Sequence, residues 1–274
     1  MNYKVSIITV VYNDVEHIEQ TIQNVLKQTY SNLEYVVVDG ASTDGTLDII
    51  KKYDGRIRWI SEPDKGIYDA MQKGAEMATG EWILYRNCGD FFITPSIVEE
   101  LFNQYDIDRG EDFLLADSRY FKRYGYIDIK PAILTRTIFE AMPVTHPSTF
   151  IRRKTQLKYP FNLNYHNSAD YCFFVEAFSN GATFRYFNML LGLFDNETGT
   201  SSDNYGKSIA DNINIYKQYG APLKQIKKLE KLLVIYKIKK FLKRYIPFFS
   251  IYHKSHLNSE GWIKCDREMI LKDI

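Results

Sequence analysis

Cysteine is scarce in this chain: Cys88, Cys172 and Cys265 are the only three among 274 residues. An odd count without a Cys-x-x-Cys spacing supports neither a disulfide framework nor a zinc site, and points to a reducing compartment. No apolar run approaches the roughly 18 residues of a membrane-spanning helix. The opening MNYKVSIITVVYN contains an apolar run but no cleavage-site pattern, so it reads as a buried strand and not as a signal peptide. Net charge is nearly absent, at +1, and favours no class of partner. Three phosphate-binding patterns are also missing. The first strand–helix turn, Tyr12-Asn13-Asp14-Val15, has no G-x-G-x-x-G, which removes a dinucleotide oxidoreductase. No G-x-x-x-x-G-K-[ST] occurs, which removes a P-loop nucleotidase. The Gly-rich loop that a nucleotidyltransferase would carry after its first strand is not there either. No named nucleic-acid motif appears, and nucleic acid is not an expected partner.

What is present is an ordinary soluble composition, 45% hydrophobic and 25% charged, with length for one large α/β domain and an appendage. Twenty-one Tyr and 17 Phe suit contact with carbohydrate, and a Tyr-rich core equally. The small net charge hides an asymmetry. Lys224 to Arg244 holds nine Lys/Arg against Glu230 alone, so the residues before it form an acidic body.

Hydrophobic periodicity alternates between strand and helix over the first 90 residues. Val5–Val11 and Leu33–Val38 are continuous runs of the kind buried on both faces of a parallel sheet. Ile57–Ser61 and Trp82–Tyr85 predict two more strands. Between them lie helical stripes: Val15, Ile18, Ile22, Val25 and Leu26 behind an Asp14 cap, then Asp44 to about Tyr53, then Ile67, Ala70, Met71, Gly74 and Ala78. Such alternation predicts a mostly parallel sheet with right-handed crossovers and helices on its faces. Ligands then sit outside the carboxyl ends of the strands, where Asp39 and Asp90 fall. After Pro95 the expectations are a helix over Ser96–Gln104, a strand over Phe113–Ala116, a hairpin over Tyr120–Ile129 and a short helix near Thr135–Ala141. A strand over Val144–Ile151, a helix over Ser168–Ser179 capped by Ser168, and a strand over Phe184–Phe194 follow. Two helices, Ser208–Tyr219 and Lys224–Tyr245, complete the pattern.

Four short segments carry candidate chemistry. Asp39-Gly40-Ala41-Ser42-Thr43-Asp44-Gly45-Thr46 follows the second strand; Asp39 can accept a hydrogen bond from a nucleoside, although a plain strand–turn–helix link capped by Asp44 is the commoner use of such residues. Asp64-Lys65-Gly66-Ile67-Tyr68-Asp69-Ala70-Met71 opens a helix, and a helix N-terminus beside Lys65 suits phosphate; simple capping with a solvated lysine is the alternative. In Asn87-Cys88-Gly89-Asp90 the carboxylate suits Mg²⁺ or Mn²⁺, hard cations that take one or two carboxylates and complete their shell with phosphate and water; an ordinary loop aspartate is the alternative. In Ala169-Asp170-Tyr171 the acid lies in a helix's first turn, which favours the ionised form that a general base requires, and is also a common place for an acid with no such role.

In this order and spacing the segments resemble glycosyltransferase family 2. Val5–Asn13 is similar to that family's first strand, Asp39–Thr46 to V-D-D-G-S-T-D-G-T, and Asp64–Gly74 to D-x-G-x-x-x-A-x-N-x-G. Ala78-Thr79-Gly80-Glu81-Trp82 with Asn87–Asp90 resembles its next strand and D-x-D-like metal motif. The match is dense over the first 90 residues and looser to about Ser202, through His146-Pro147-Ser148 and Ser168–Tyr171. It is nearest to the branch that builds bacterial surface polysaccharides. The resemblance implies a GT-A fold, α/β and Rossmann-like, with a helical C-terminal extension. The implied layout is a catalytic domain over 1–205, with a nucleotide-binding half (1–94) and an acceptor-binding half (95–205), and a basic, aromatic extension over 206–274.

The implied activity is an inverting, hexosyltransferase-type transfer from a nucleotide-diphosphate sugar to a hydroxyl of a glycan or lipid-linked glycan, with UDP the foremost nucleotide. Thr9, Val11 and Asp39 would hold the nucleoside; Asp64 and Lys65 would lie near base and phosphates; Asn87 and Gly89 would line the nucleotide. Asp90 would bind the divalent metal, Mn²⁺ or Mg²⁺, and Asp170 would be the general base. His146 is an additional candidate for metal or diphosphate, with a structural hydrogen bond its commoner use. The chain departs from the family pattern at Gly40 (usually Asp), at Gln72 (commonly Asn), at the lone carboxylate Asp90, at Asp170-Tyr171 (commonly Glu-Asp), and at Thr198-Gly199-Thr200-Ser201 in place of a Gly-Gly-x-Ser loop. These departures leave a catalytically silent nucleotide-sugar-binding or assembly scaffold as the rival reading. Residues 224–248 alternate lysines with Leu, Ile, Tyr and Phe, a basic amphipathic pattern that suits the cytoplasmic face of a membrane or, equally, packing on the catalytic domain. A cytoplasmic protein, peripheral to the membrane at most, is expected.

Overall fold

The computed structural model describes residues 2–105, 107, 109–122, 125–195, 205–245 and 263–264. Its first half is the expected alternation: β1 (Val5–Val11), α1 (Ile18–Leu26), β2 (Leu33–Asp39), α2 (Thr46–Lys51), β3 (Arg58–Ser61), α3 (Ile67–Met77) and β4 (Trp82–Tyr85). β1 lies between β2 and β4, parallel to both, and β3 pairs parallel to β2. Every residue of β1 is buried, which is why the run carries no polar alternation. Its side chains divide between two cores. Ile8 and Val10 join Val36, Val38 and Met71 on one face; Val5, Ile7 and Val11 join Ile18, Ile22 and Val37 on the other.

The second half completes the sheet with β5 (Phe91–Phe92), α4 (Ile97–Gln104), β6 (Phe113–Lys122), β7 (Gly125–Ile129), β8 (Thr149–Arg152), α5 (Arg153–Lys158), α6 (Ala169–Ser179) and β9 (Phe184–Asp195). β8 is antiparallel to β4 and β6, whereas β9 runs parallel to β6 and antiparallel to β5. Then follow α7 (Tyr205–Gln218), α8 (Leu223–Tyr245) and β10 (Ile263–Lys264), which extends the sheet edge beside β7. The sheet is mixed: β1 to β4 pair in parallel where the sequence is most regular, and in the second half only β6 with β9 does so among the described strands.

Several local expectations are corrected. The region expected to be one strand, Val144–Ile151, holds a 3-10 turn at His146–Ser148 before β8; Pro147 has no N–H for a ladder. A 3-10 turn at Ala132–Leu134 replaces the short helix expected near Thr135–Ala141. Asp14 does not cap α1: its carboxylate accepts from His17 Nδ1, 2.6 Å away, and the cap position is His17. Ser168 stands at the cap of α6, but its side chain makes no capping hydrogen bond among the described residues. The Thr198–Ser201 loop lies outside the described residues.

At the amino ends of the strands, Glu34 ties β1 to β2 and β4's approach. Its carboxylate accepts from Ser6 Oγ at 2.6 Å, Thr79 N at 2.7 Å and Arg58 Nη1 at 2.9 Å. Burial raises its pKa, but these donors outweigh burial and bring it down to about 2. The carboxyl ends are thereby left for the loops. α3 packs so closely on β1 that a Cβ at Gly74 would sit 2.4 Å from Ile8 Cγ2. Gly74→Ala should therefore cost about 1–3 kcal/mol from overpacking. Urea unfolding will check this, and an unchanged midpoint would contradict the packing described.

Candidate active site

The loops after β1, β3 and β4, the start of α3, the start of α6 and the end of β9 enclose one cavity of about 930 Å³. Of the residues expected from sequence, Val11, Asp64, Asn87, Asp90, His146 and Asp170 line it. Thr9, Asp39, Lys65 and Gly89 do not. Thr9 is fully buried one layer below, where its hydroxyl donates to the Arg86 carbonyl at 2.6 Å and meets Tyr35 Oη at 2.9 Å. It locks the end of β4 to β1. Asp39 is also fully buried. Its carboxylate accepts from Ser42 N at 3.1 Å, from Ser42 Oγ and from Ser61 Oγ at 2.6 Å. Lys65 is exposed, with its backbone N–H on Asp69. Gly89, at φ 89°, gives its N–H to Thr21 Oγ1 and turns the chain so that Asp90 faces inward.

One departure from the family pattern now has a steric cause. A Cβ at Gly40 would lie 2.6 Å from Asp64 Oδ2 and 3.2 Å from the Tyr12 ring. The Asp64 carboxylate thus occupies the space that a side chain at position 40 would take, while its other oxygen accepts from Gly66 N at 2.7 Å.

The far wall is built around Asp170. Its Oδ1 accepts from Tyr68 Oη and from Tyr171 N, each at 2.8 Å, and His146 Nδ1 lies 3.5 Å from Oδ2. Burial pushes this carboxyl up, but His146, Tyr68 and the Tyr171 N–H outweigh it and hold it below its ordinary value. Tyr68 is displaced the opposite way, by burial and by the Asp170 charge, so it stays a donor. The His146 ring is set edge-on to Tyr85 and Phe174, at centroid distances of 5.4 and 5.3 Å. Its Nε2 is buried without a hydrogen-bond partner among the described residues.

Asp90, 3% exposed, stands on the β4 side. Beside it the Asn87 Oδ1 is buried and accepts no hydrogen bond among the described residues. One carboxylate and one unused amide oxygen are donors that suit a hard cation, provided phosphate oxygens and water fill the rest. Among the described residues no group of three or more His, Cys, Asp or Glu is gathered for a self-sufficient metal site.

Three participants went unassigned in the sequence. Tyr68 stood within a quoted motif, but its contact with Asp170 spans 102 positions and has no local signal. Tyr120 lines the cavity, its phenol pushed up to about 12 by burial and by the charges of Asp90 and Asp170. Arg86 is fully buried at the end of β4; a charged residue closing an apolar strand was its only signal.

Comparison with known proteins bears on this arrangement. A "PGL/p-HBAD biosynthesis glycosyltransferase" of Mycobacterium bovis is 28% identical over 207 residues, 72% of this chain and 78% of its own length. The Escherichia coli "UDP-Glc:alpha-D-GlcNAc-diphosphoundecaprenol beta-1,3-glucosyltransferase WfaP" is 26% identical over 228 residues, 79% of this chain and 86% of its own. Among solved structures, the mannosyltransferase PcManGT from Pyrobaculum calidifontis, in complex with GDP-Man and Mn²⁺, has the same fold: TM-score 0.63, 17% identity, 84% of this chain and 70% of that one. S. aureus TarS 1–349 with UDP-GlcNAc gives TM-score 0.62 at 17% identity, over 94% and 77%. The profile of Glycosyl transferase family 2 matches residues 6–169, more than half of the sequence, and the chain belongs to that family.

Proposed function

We propose that this glycosyltransferase moves a sugar from a nucleotide-diphosphate donor, UDP foremost, to a hydroxyl of a glycan or lipid-linked glycan with inversion at the anomeric carbon. The observation that carries the reading is that Asp90 and Asp170, far apart in sequence, line one cavity from opposite elements. Asp170 accepts the proton of the acceptor hydroxyl as its oxygen attacks the anomeric carbon. The bond from that carbon to the diphosphate oxygen breaks, and its electron pair leaves with the diphosphate. Asp170 suits this task because its carboxyl is held ionised and its orientation is fixed by Tyr68 and His146. Asp90, with the Asn87 amide oxygen, would hold Mn²⁺ or Mg²⁺, which when bound neutralises charge on the departing diphosphate. Val11 and Asp64 bound the nucleoside end; Asp39 and Thr9 act there by holding the loops, and Lys65 and Gly89 frame it from outside the lining. Residues 1–94 supply the donor side of the cavity and 95–205 the acceptor side, with 206–274 as an extension.

The acceptor assignment draws on the lipid-linked substrate in the name of the E. coli relative and on α8. One face of α8 packs on α7, with Tyr236 against Gly206 and Lys217 paired to Glu230 at 2.9 Å. The other leaves Val234, Ile238 and Phe241 more than half exposed, a spacing that puts them on one stripe among the lysines. Among the described residues no helix is long and apolar enough to cross a membrane. The stripe instead suits the anionic cytoplasmic surface, beside which a lipid-linked acceptor would be presented. Residues 246–248 of this segment lie outside the described residues.

Thermal shifts with UDP, GDP, dTDP and CDP, each with Mn²⁺ or EDTA, test the donor side. A metal-dependent rise with one nucleotide, lost in Asp90→Ala, is expected; no rise with any nucleotide would overturn the reading. Asp170→Asn should lower transfer by about 10² or more while leaving nucleotide binding intact, and transfer retained within about tenfold would place the base elsewhere. Because Asp170 must be ionised, activity falls as pH drops through its pKa. Tyr68 stabilises the charged form, so Tyr68→Phe should move the acid limb of the kcat–pH profile to higher pH; a limb that stays in place would contradict the contact's role. In co-sedimentation with anionic liposomes, the full chain should bind and a chain ending at Tyr219 should not. Equal binding by both would sink the membrane assignment.

A further inference from the structure

The guanidinium of Arg86 is fully buried, and Nε, Nη1 and Nη2 have no hydrogen-bond partner among the described residues. It lies over the Phe92 ring, 4.2 Å from the centroid, and under Gly192, where a Cβ would come within 2.3 Å of Nη1. Phe92 and Gly192 are opposite one another in the β5–β9 ladder, and β5 begins immediately after Asp90. Arg86 is therefore seated beneath the strand that Asp90 opens, and Asp90 is the acid whose charge acts on it. A buried ion without hydrogen bonds is costly, and one aromatic face offsets only part of that cost. An apolar side chain would pack here at less expense, so the charge itself needs a reason.

The cavity supplies one. Asp14, Asp64, Asp90 and Asp170 line it and three histidines join them, while no lysine or arginine among the described residues does. An incoming diphosphate would meet a field of its own sign. A guanidinium is basic enough to stay charged at neutral pH even when buried.

We infer that Arg86 is a fixed cation beneath the diphosphate subsite, a positioning residue that draws the donor's diphosphate toward Asp90 and, by opposing the Asp90 charge, keeps a divalent cation weakly bound until the nucleotide is in place. The inference rests on the reading above that Asp90 marks the diphosphate end of the cavity. In a low-dielectric interior such a charge acts without direct contact.

Two titrations test it, with UDP and uridine in EDTA by calorimetry, and with Mn²⁺ alone by electron paramagnetic resonance. The wild-type chain in EDTA should bind UDP more tightly than uridine. In Arg86→Met, UDP affinity in EDTA should fall about tenfold while Mn²⁺ affinity without nucleotide rises by a similar factor, and uridine affinity should stay within about twofold. Loss of a merely structural residue would not move metal and diphosphate affinity in opposite directions. Should Arg86→Met fail to fold, the wild-type comparison still decides: UDP bound no more tightly than uridine overturns the inference, as do unchanged UDP and Mn²⁺ affinities in the variant. If wild type binds neither UDP nor uridine even with Mn²⁺, the nucleotide reading itself falls, which is a different result.

Discussion

The parallel register of β1 with β2 on one side and β4 on the other is the constraint on which the rest depends. It sends three loops out at the same end of the sheet. Thr9 holds it from within through the Arg86 carbonyl, and Glu34 gathers the opposite ends. Because both faces of β1 are covered, polar groups can emerge only beyond the strand ends, so chemistry is confined to the carboxyl edge. Asp39 stands there at the last position of β2, and Asp64 and Asp90 in the loops after β3 and β4.

Against that edge the second half of the chain brings α6 and the His146–Ser148 turn. The result is a cavity whose two key carboxylates live in unlike surroundings. Asp170 is clamped by a phenol, an imidazole and a backbone N–H. Asp90 shares its loop with the unused Asn87 amide oxygen and leads into β5, whose Phe92 ring carries the buried Arg86 guanidinium. Environment, more than residue type, separates the role proposed for each.

The first 90 residues were the most readable because strands buried on both faces appear as unbroken runs, and their helices as stripes; β1 to β4 emerged near their expected bounds. The middle was less readable for a physical reason. β6, β8 and β9 owe their places to pairing between distant segments, and the Pro147 turn hid in a sequence that otherwise looked like strand. Asp170, His146 and Asp90 could be picked out as candidates, and all three line the cavity. Their partners Tyr68 and Arg86 could not, since a contact over many intervening residues leaves no periodic mark. Asp39, a motif residue, carries serine contacts that spacing alone does not foretell: its carboxylate accepts from Ser42 and Ser61.

Everything proposed for the cavity requires that Asp90 and Asp170 flank a single reaction centre. The most direct test is a crystal structure with UDP and Mn²⁺, collected at a wavelength where manganese scatters anomalously. An anomalous peak is expected within coordination distance of Asp90 and of the diphosphate, with Asp170 facing the open space where a sugar and an acceptor hydroxyl would meet. Manganese and diphosphate bound away from Asp90, or UDP filling the space in front of Asp170, would contradict that arrangement.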